Sequence, residues 1–390
     1  GIPASAPVGN PEDDSGPDDP ACILYTSGST GLPKGIVHSH RSILHHIWSH
    51  SRTFNLCEND RQALLLSYSF AASVSEIFGA LLNGASLSLN YVRKTGLENL
   101  AKWLIEERIT AFKLPVSLFR MFLTLMKEGY DFPDLRLVVL GGDTLFRKDV
   151  ELFRRFFPER TVLVNRLTST EAFTVSRLII DSGCELSERL VPAGYADDDK
   201  EVSIVDEQGN PAGPGQIGEI VVTSRYLSTG YWKLPEENKA KLTFNADSEG
   251  RSRYRTGDLG RMGQDGLLEY FGRKDSQVKV RGYRVELSAV EAALNALDAI
   301  KVSAVKVQET GRQQGSGKLL AYLVPAILYA VARKKKAVIS THTINLQEQL
   351  TQRAGDAARM TPLRSAMDDG LLAVDHKGVV LLANRSLCAH

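Results

Sequence analysis

The sequence is short of several things, and each shortage excludes a class of protein. It holds only four cysteines in 390 residues, Cys22, Cys57, Cys184 and Cys388, scattered with no C-x-x-C pair and no metal-ligand spacing. That excludes a disulfide framework and reads as reduced thiols of a cytoplasmic protein. An excess of one charge is missing too: 47 Lys and Arg against 46 Asp and Glu leave +1. No electrostatic footprint for nucleic acid or an anionic membrane is therefore visible. No apolar run reaches membrane-spanning length, and the first residues carry no basic-then-apolar leader pattern.

What is present is organised by texture. The length suffices for two or three domains, each with its own core. Residues 1–20 are rich in Pro, Gly and Asp and read as a linker. From there, runs of strand length such as "ACILYT", "QALLLSYS", "ASLSLNYV", "RLVVLGG" and "RTVLVNRL" alternate with helical patterns such as "LENLAKWLIEERI" and "VSLFRMFLTLMKEG". That alternation predicts a largely parallel sheet covered by helices. From about residue 201 the pattern turns β-rich, with Gly, Pro and Asn turns, and "RVELSAVEAALNAL", "SAVKV" and "LLAYLVP" outline a small α+β unit.

Two stretches invite chemistry. In "YTSGSTGLPKG" a short strand opens into a loop of glycine and small hydroxyl residues ending at Lys34. Such a loop can turn its backbone N–H groups inward as an anion nest, with hydroxyl donors and a lysine charge to reach phosphate oxygens. It is not the common G-x-x-x-x-G-K-[ST] loop, because Gly28 and Gly31 are too close and Lys34 lies between Pro33 and Gly35. In "HSHRSILHHIWSH" five of the eight histidines fall in thirteen residues, and His46 and His50 stand at i,i+4 on a predicted helix. That spacing can bind a metal, but the glutamate of an H-E-x-x-H pattern is missing.

Further segments follow in order: "FAASVSEIFGALLNGASL" (70–87), "VVLGGDTL" (138–145), "TSTEA" (168–172), "GEIVVTSRYLSTGYW" (218–232), "YRTGDLGRM" (254–262) and "GRKDSQVKVRGYRVEL" (272–287). With the loop, they resemble the motif series of the adenylate-forming (AMP-binding) superfamily: acyl-CoA synthetases, luciferases and peptide-synthetase adenylation domains. The resemblance covers roughly residues 1 to 325 and implies an α/β fold. It consists of a partial large domain over 21–272, a mostly parallel sheet and then a β-rich part, followed by a partial small α+β domain over 273–325.

The resemblance also implies roles. Thr26, Ser27, Gly28, Ser29, Thr30, Gly31 and Lys34 would hold the phosphates of ATP, Gly141 and Gly142 would flank the adenine, and Asp258 and Arg273 would contact the nucleotide. Lys34, Thr170 and Glu171 would be catalytic, with Glu171 holding Mg²⁺. Asp275 would be the hinge of the small domain, and Gly282 would line the channel for a phosphopantetheine thiol. The implied reaction activates a carboxylic acid as an acyl-adenylate and passes it to coenzyme A or a carrier protein. The acid pocket would comprise Ala71, Ala72, Ser75, Lys113, Val139, Gly141, Arg166, Thr174 and Val175.

Four departures from the family pattern qualify these expectations. Only about twenty residues precede the phosphate loop, so the sheet is expected to lack several strands. Ala71 stands where amino-acid-activating members carry an Asp, which disfavours an α-amino substrate because a buried ammonium would have no partner. Lys113 and Arg166 would instead suit a second carboxylate or another polar acid. Leu167 replaces the aromatic that usually stacks on adenine. After Pro325 nothing matches the closing Pro-x-x-x-x-Gly-Lys segment, whose lysine bridges the carboxylate and the α-phosphate. In its place, residues 326–360 resemble a segment of iron–sulfur DNA helicases. Residues 361–390 resemble the opening hairpin of a PAS domain, with "DHKG" as its turn. An inactive ATP-binding remnant, or a nucleic-acid or signalling protein acting through residues 337–387, are the rival readings.

Overall fold

The computed structural model describes residues 14–26, 33–126, 129–186 and 188–274, and beyond them a set of strands. Two compact units divide the chain, the first made of residues 1–26, 33–275 and 281–284 and the second of the remainder.

In the first unit β1 (Pro20–Thr26) pairs antiparallel with β2 (Lys34–Ser39), which runs straight into α1 (His40–Phe54). There follow β3 (Arg61–Leu64), α2 (Ala71–Leu82), β4 (Ser86–Leu89), the single turn α3 (Val92–Thr95), α4 (Leu100–Glu106), β5 (Ala111–Pro115), α5 (Val116–Leu125), β6 (Leu137–Gly141), α6 (Arg147–Phe156), β7 (Val162–Ser169), β8 (Phe173–Ile180) and β9 (Tyr195–Ala196). The strands β3 to β9 form one sheet of order β4-β3-β5-β6-β7-β8-β9. Pairing is parallel from β4 to β7 and antiparallel for β8 and β9. The predicted parallel sheet is thus present. The "ACILYT" strand, however, stands outside it, since β1 joins β2 and not β3.

The β-rich part comprises β10 (Glu201–Val205), β11 (Gly218–Ser224), β12 (Gly230–Tyr231), α7 (Pro235–Lys241), β13 (Leu242–Thr243), β14 (Ser252–Met262) and β15 (Leu268–Arg273). β12 extends the β1-β2 sheet, and the other five strands form an antiparallel sheet around Ile204, Ile220, Val222, Tyr254 and Leu268. Further on lie β16 (Gln277–Val280) and β17 (Tyr283–Glu286), the antiparallel pair β18 (Ala304–Glu309) and β19 (Gly317–Tyr322), and a three-stranded sheet of β20 (Ala337–Ser340), β21 (Leu371–Val374) and β22 (Val380–Ala383). β21 and β22 pair antiparallel across the expected "DHKG" turn, which itself lies outside the described residues.

The two faces of the seven-stranded sheet are built differently. Strand alternation sends Phe112, Leu114, Val138, Leu140 and Leu163 to one face, where they meet Leu100 and Leu104 of α4, Phe119 and Phe122 of α5 and Phe153 of α6. Helix α5 starts right after Pro115 and places Phe119, Phe122 and Leu123 on one stripe. The intervening residues, Ala111, Leu137, Val139 and Val164, turn to the other face with Phe54 at the end of α1. Helix α1 is capped at its start by Ser39, whose side chain accepts from the Ser42 N–H, and closed by Asn55 in the left-handed conformation.

Candidate functional site

Gly141 and the Thr170–Glu171 turn follow the carboxyl ends of β6 and β7, where open α/β sheets form their ligand crevices. Thr26 and Lys34 end β1 and begin β2 and face each other in register. They bracket the loop carrying Ser27, Gly28, Ser29, Thr30 and Gly31, which lies outside the described residues together with Asp275 and Gly282. Lys34 is almost fully buried and makes an ion pair with Glu237 of α7 at 2.7 Å.

Thr170 and Glu171 occupy the tight turn between β7 and β8. The turn is held from several sides. His38 Nε2 donates to the Thr170 carbonyl at 2.8 Å, and its Nδ1 lies 3.1 Å from Ser42 Oγ. Burial pushes His38 down to about 4, so the ring is neutral at pH 7. The Ala172 N–H donates to Ser169 Oγ, and the Ser228 N–H donates to the Glu171 carbonyl at 2.9 Å. Glu171 is wholly buried, and its Oε1 accepts from the Tyr231 hydroxyl at 2.8 Å. Phe173, next in the turn, has φ of 54°, a conformation costly for an aromatic residue. Its ring is clamped between His38 and His46, at 4.2 and 4.3 Å. The strain is sustained by those contacts.

Gly141 ends β6 because a Cβ there would lie 3.0 Å from the Arg166 carbonyl oxygen, and Gly142 has φ of +77°. Leu167 is buried on β7, close in sequence to Thr170. In the antiparallel sheet, Asp258 and Arg273 are directly opposed on β14 and β15, and Arg273 Nη1 donates to Asp258 Oδ1 at 3.0 Å. Burial, with the Asp258 charge second, raises the Tyr270 hydroxyl beside them well above its ordinary value.

Of the residues expected to line the acid pocket, Ala71, Ala72 and Ser75 lie on α2, and Lys113, Val139 and Arg166 on the second face of the sheet beneath it. Lys113 of β5 and Arg166 of β7 fall on that face by strand alternation, so both are buried instead of reaching solvent. Lys113 Nζ donates to the Ala72 carbonyl at 2.8 Å and to Ser75 Oγ at 2.6 Å. Arg166 Nη2 donates to Thr174 Oγ1. Burial lowers Lys113 to about 7 and Arg166 to about 10. Ala71 packs with Leu24, Ile43, Val74 and Phe173, an apolar cluster. Val175 does not join Thr174: it points into the core with Leu167, Ala172 and Ile220.

A family model described as AMP-binding enzyme matches residues 3–232. The chain belongs to the AMP-binding enzyme family. Among curated relatives, bacitracin synthase 3 of Bacillus licheniformis is 34% identical over 311 residues, covering 78% of this chain and 5% of that protein. Tyrocidine synthase 3 of Brevibacillus parabrevis is 34% identical over 333 residues, 85% of this chain and 5% of that protein. This AMP-binding chain thus spans a small part of the length of either relative. Among solved structures, the Vibrio cholerae adenylation domain AlmE in complex with glycyl-adenosine-5'-phosphate superposes with a TM-score of 0.70 at 26% identity, over 78% of this chain and 58% of AlmE. Holo-PA1221, containing adenylation and PCP domains and bound to a vinylsulfonamide inhibitor, gives 0.69 at 29% identity, over 82% of this chain and 54% of that one.

Sequence reasoning on this AMP-binding domain passed over two groups. Glu76, one helical turn past Ala72 on α2, is buried against Lys113 and Arg166, and burial raises its carboxyl to about 7. The signal was its i,i+4 spacing from Ala72, within a stretch where a lone Glu reads as a solvated charge. Tyr231, the partner of Glu171, stood out only as part of a strand motif. The histidines considered for metal do share a buried face of α1, where His46 stacks on Phe173 and His50 meets Phe54 edge-on. Burial lowers both well below the usual histidine range. Among the described residues no group of three or more His, Cys, Asp or Glu is spaced to hold a metal ion.

Proposed function

We propose that the chain activates a carboxylic acid lacking an α-amino group, using ATP, and passes it to the thiol of coenzyme A or a carrier protein. An acid carboxylate oxygen attacks the α-phosphorus of ATP, forming the acyl-adenylate as pyrophosphate leaves. A thiolate then attacks the acyl carbon, and AMP leaves. The observation that carries this reading is the conjunction, in one AMP-binding family member, of the buried Glu171 turn with a polar acid pocket on the same sheet. AlmE, solved with glycyl-adenosine-5'-phosphate, and PA1221, which joins adenylation and PCP domains, support the adenylate and the carrier-protein steps respectively.

Each residue's part follows from its surroundings. Glu171 offers hard carboxylate oxygen, the donor type that Mg²⁺ requires, and its tether to Tyr231 restricts its orientation. Bound there, the ion would neutralise phosphate charge. Lys34 would exchange Glu237 for phosphate oxygens, a swap between two anionic partners. Asp258, oriented by Arg273, would accept from ribose hydroxyls. Catalysis of this kind rests on positioning and charge neutralisation. The apolar packing of Ala71 gives a substrate ammonium no counter-charge, which supports an acid without one.

The test is exchange of labelled pyrophosphate into ATP across aryl, fatty, hydroxy, dicarboxylic and amino acids. Exchange with a non-amino acid is expected. Exchange with amino acids alone would refute the assignment of Ala71, and no exchange with any acid would leave an inactive nucleotide-binding remnant.

A further inference from the structure

Beneath the acid pocket lies a cavity whose buried carboxylate, Glu76, has no part in the reaction proposed above. It is bounded by Glu76 of α2, His50 of α1, Gln62 of β3, and Phe112, Lys113 and Val139 of the central strands, and its volume of about 10 Å³ suits one water-sized group. Lys113 and Val139 also belong to the acid pocket, so the cavity is its floor. The walls hold polar atoms with nothing to bond. Both Glu76 carboxyl oxygens and Gln62 Nε2 are fully buried without a hydrogen-bond partner. Each such buried orphan costs about 1–3 kcal/mol, and two residues of this kind on one small cavity point to a polar occupant.

The chemistry of the walls selects its type. Lys113 spends two N–H donors on Ala72 and Ser75, and an ammonium has three. Arg166 is committed to Thr174 and lies close enough to Glu76 to influence its charge. An ammonium entering here would meet Lys113, and a carboxylate would meet Glu76. A neutral group that both donates and accepts conflicts with neither.

We propose that this cavity receives a hydroxyl at the end of the substrate distal to its carboxylate, with Glu76 accepting from it and Lys113 donating to it. Glu76 is then a specificity-determining residue for hydroxylated acids. The inference rests on the acid-activation reading above and narrows it to a substrate class. Its position supports this: Glu76 sits one turn deeper than Ala72 on the same helix face, so it faces the far end of an acid whose carboxylate lies at the strand ends.

The experiment is isothermal titration calorimetry on the full chain with matched acids: 4-hydroxybutyrate against butyrate, 4-hydroxybenzoate against benzoate, with glutarate and 4-aminobutyrate as charged comparisons. The hydroxylated member of at least one pair is expected to bind roughly 10- to 100-fold tighter than its counterpart, the worth of hydrogen bonds that would otherwise leave buried groups unpaired. In Glu76→Leu that ratio falls to about one, whereas Glu76→Gln, which keeps an acceptor, retains part of it. Equal binding within both pairs, tighter binding of glutarate or 4-aminobutyrate, no binding by any acid, or an unchanged ratio in Glu76→Leu overturns the proposal. Should Glu76→Leu fail to fold, the wild-type ratio and the Gln variant decide it. Calorimetry needs no turnover, so it separates the two readings. Pyrophosphate exchange that ignores the hydroxyl sinks this inference alone, and hydroxyl-selective binding without exchange sinks only the activation reading.

Discussion

The two faces of the seven-stranded sheet lie within one unit and share the same strands, yet they are made for different purposes. One face buries Phe112, Phe119, Phe122, Phe153 and Phe157 against leucines, with the buried Arg120–Asp149 ion pair, 2.6 Å, tying α5 to α6. The other buries Lys113, Arg166, Glu76, His46 and His50 beneath α1 and α2, with several of their polar atoms left without partners. Burying apolar area is how a fold gains stability, whereas buried charges seldom contribute to it. The contrast teaches where function resides. The phenylalanine face holds the sheet together, and under the proposed function the charged face is kept at the expense of stability for ligand recognition.

The largest break in that comparison should come from the apolar side. Phe119→Ala opens a hole in the middle of the aromatic cluster and is expected to lower unfolding free energy by about 3–5 kcal/mol, read by urea denaturation. Next comes the Glu171 turn. Glu171→Gln keeps the shape and the Tyr231 hydrogen bond but removes the charge, and should reduce acid-dependent pyrophosphate exchange by about 10²- to 10³-fold. Its unfolding midpoint should move far less than that of Phe119→Ala, because the turn remains held by His38 and Ser228.

A smaller effect separates the faces by pH. Burial raises Glu76 from 4.5 to about 7, and burial lowers Lys113 from 10.5 to about 7. The groups facing them are His46 and His50 from α1 and Arg166 from β7. A raised carboxyl contributes stability that is full below pH 4.5 and is lost as pH rises through 7. A lowered lysine contributes stability that is full above pH 10.5 and is lost as pH falls through 7. Together they predict a stability minimum near pH 7, with the acidic limb worth up to about 3 kcal/mol. Glu76→Gln should flatten that limb, measured as the thermal midpoint between pH 5 and pH 7.5, and a variant with the same pH slope as wild type would contradict the assignment.

Much of the fold was readable because its signals are local. The apolar runs at 111–115 and 137–141 and the periodic helices between them announced a parallel sheet, and "TSTEA" and "TGD" stood out through their resemblance to the family's motif series. What depended on pairing was not readable. "ACILYT" looks like any other buried strand, and only its partnership with Lys34–Ser39 sets it outside the parallel sheet. Lys113 and Arg166 could have pointed to solvent, and it takes the register of β5, β6 and β7 to turn them toward α2. Glu76 was hidden for the same reason, since a glutamate in "SVSEIFG" looks solvated until the cover on that helix face is known. The Phe173 conformation had no sequence signal at all, because its strain is sustained by His38 and His46, residues distant in sequence.

The smallest expected effect is also the most direct test. Glu76→Gln combined with Lys113→Met replaces the buried charges by neutral groups of similar size. If the charged face serves recognition and not the fold, the double variant should unfold at pH 7 with a free energy within about 1 kcal/mol of wild type, or above it. A loss comparable to that of Phe119→Ala, about 3 kcal/mol or more, would contradict the account and make the charged face a structural element.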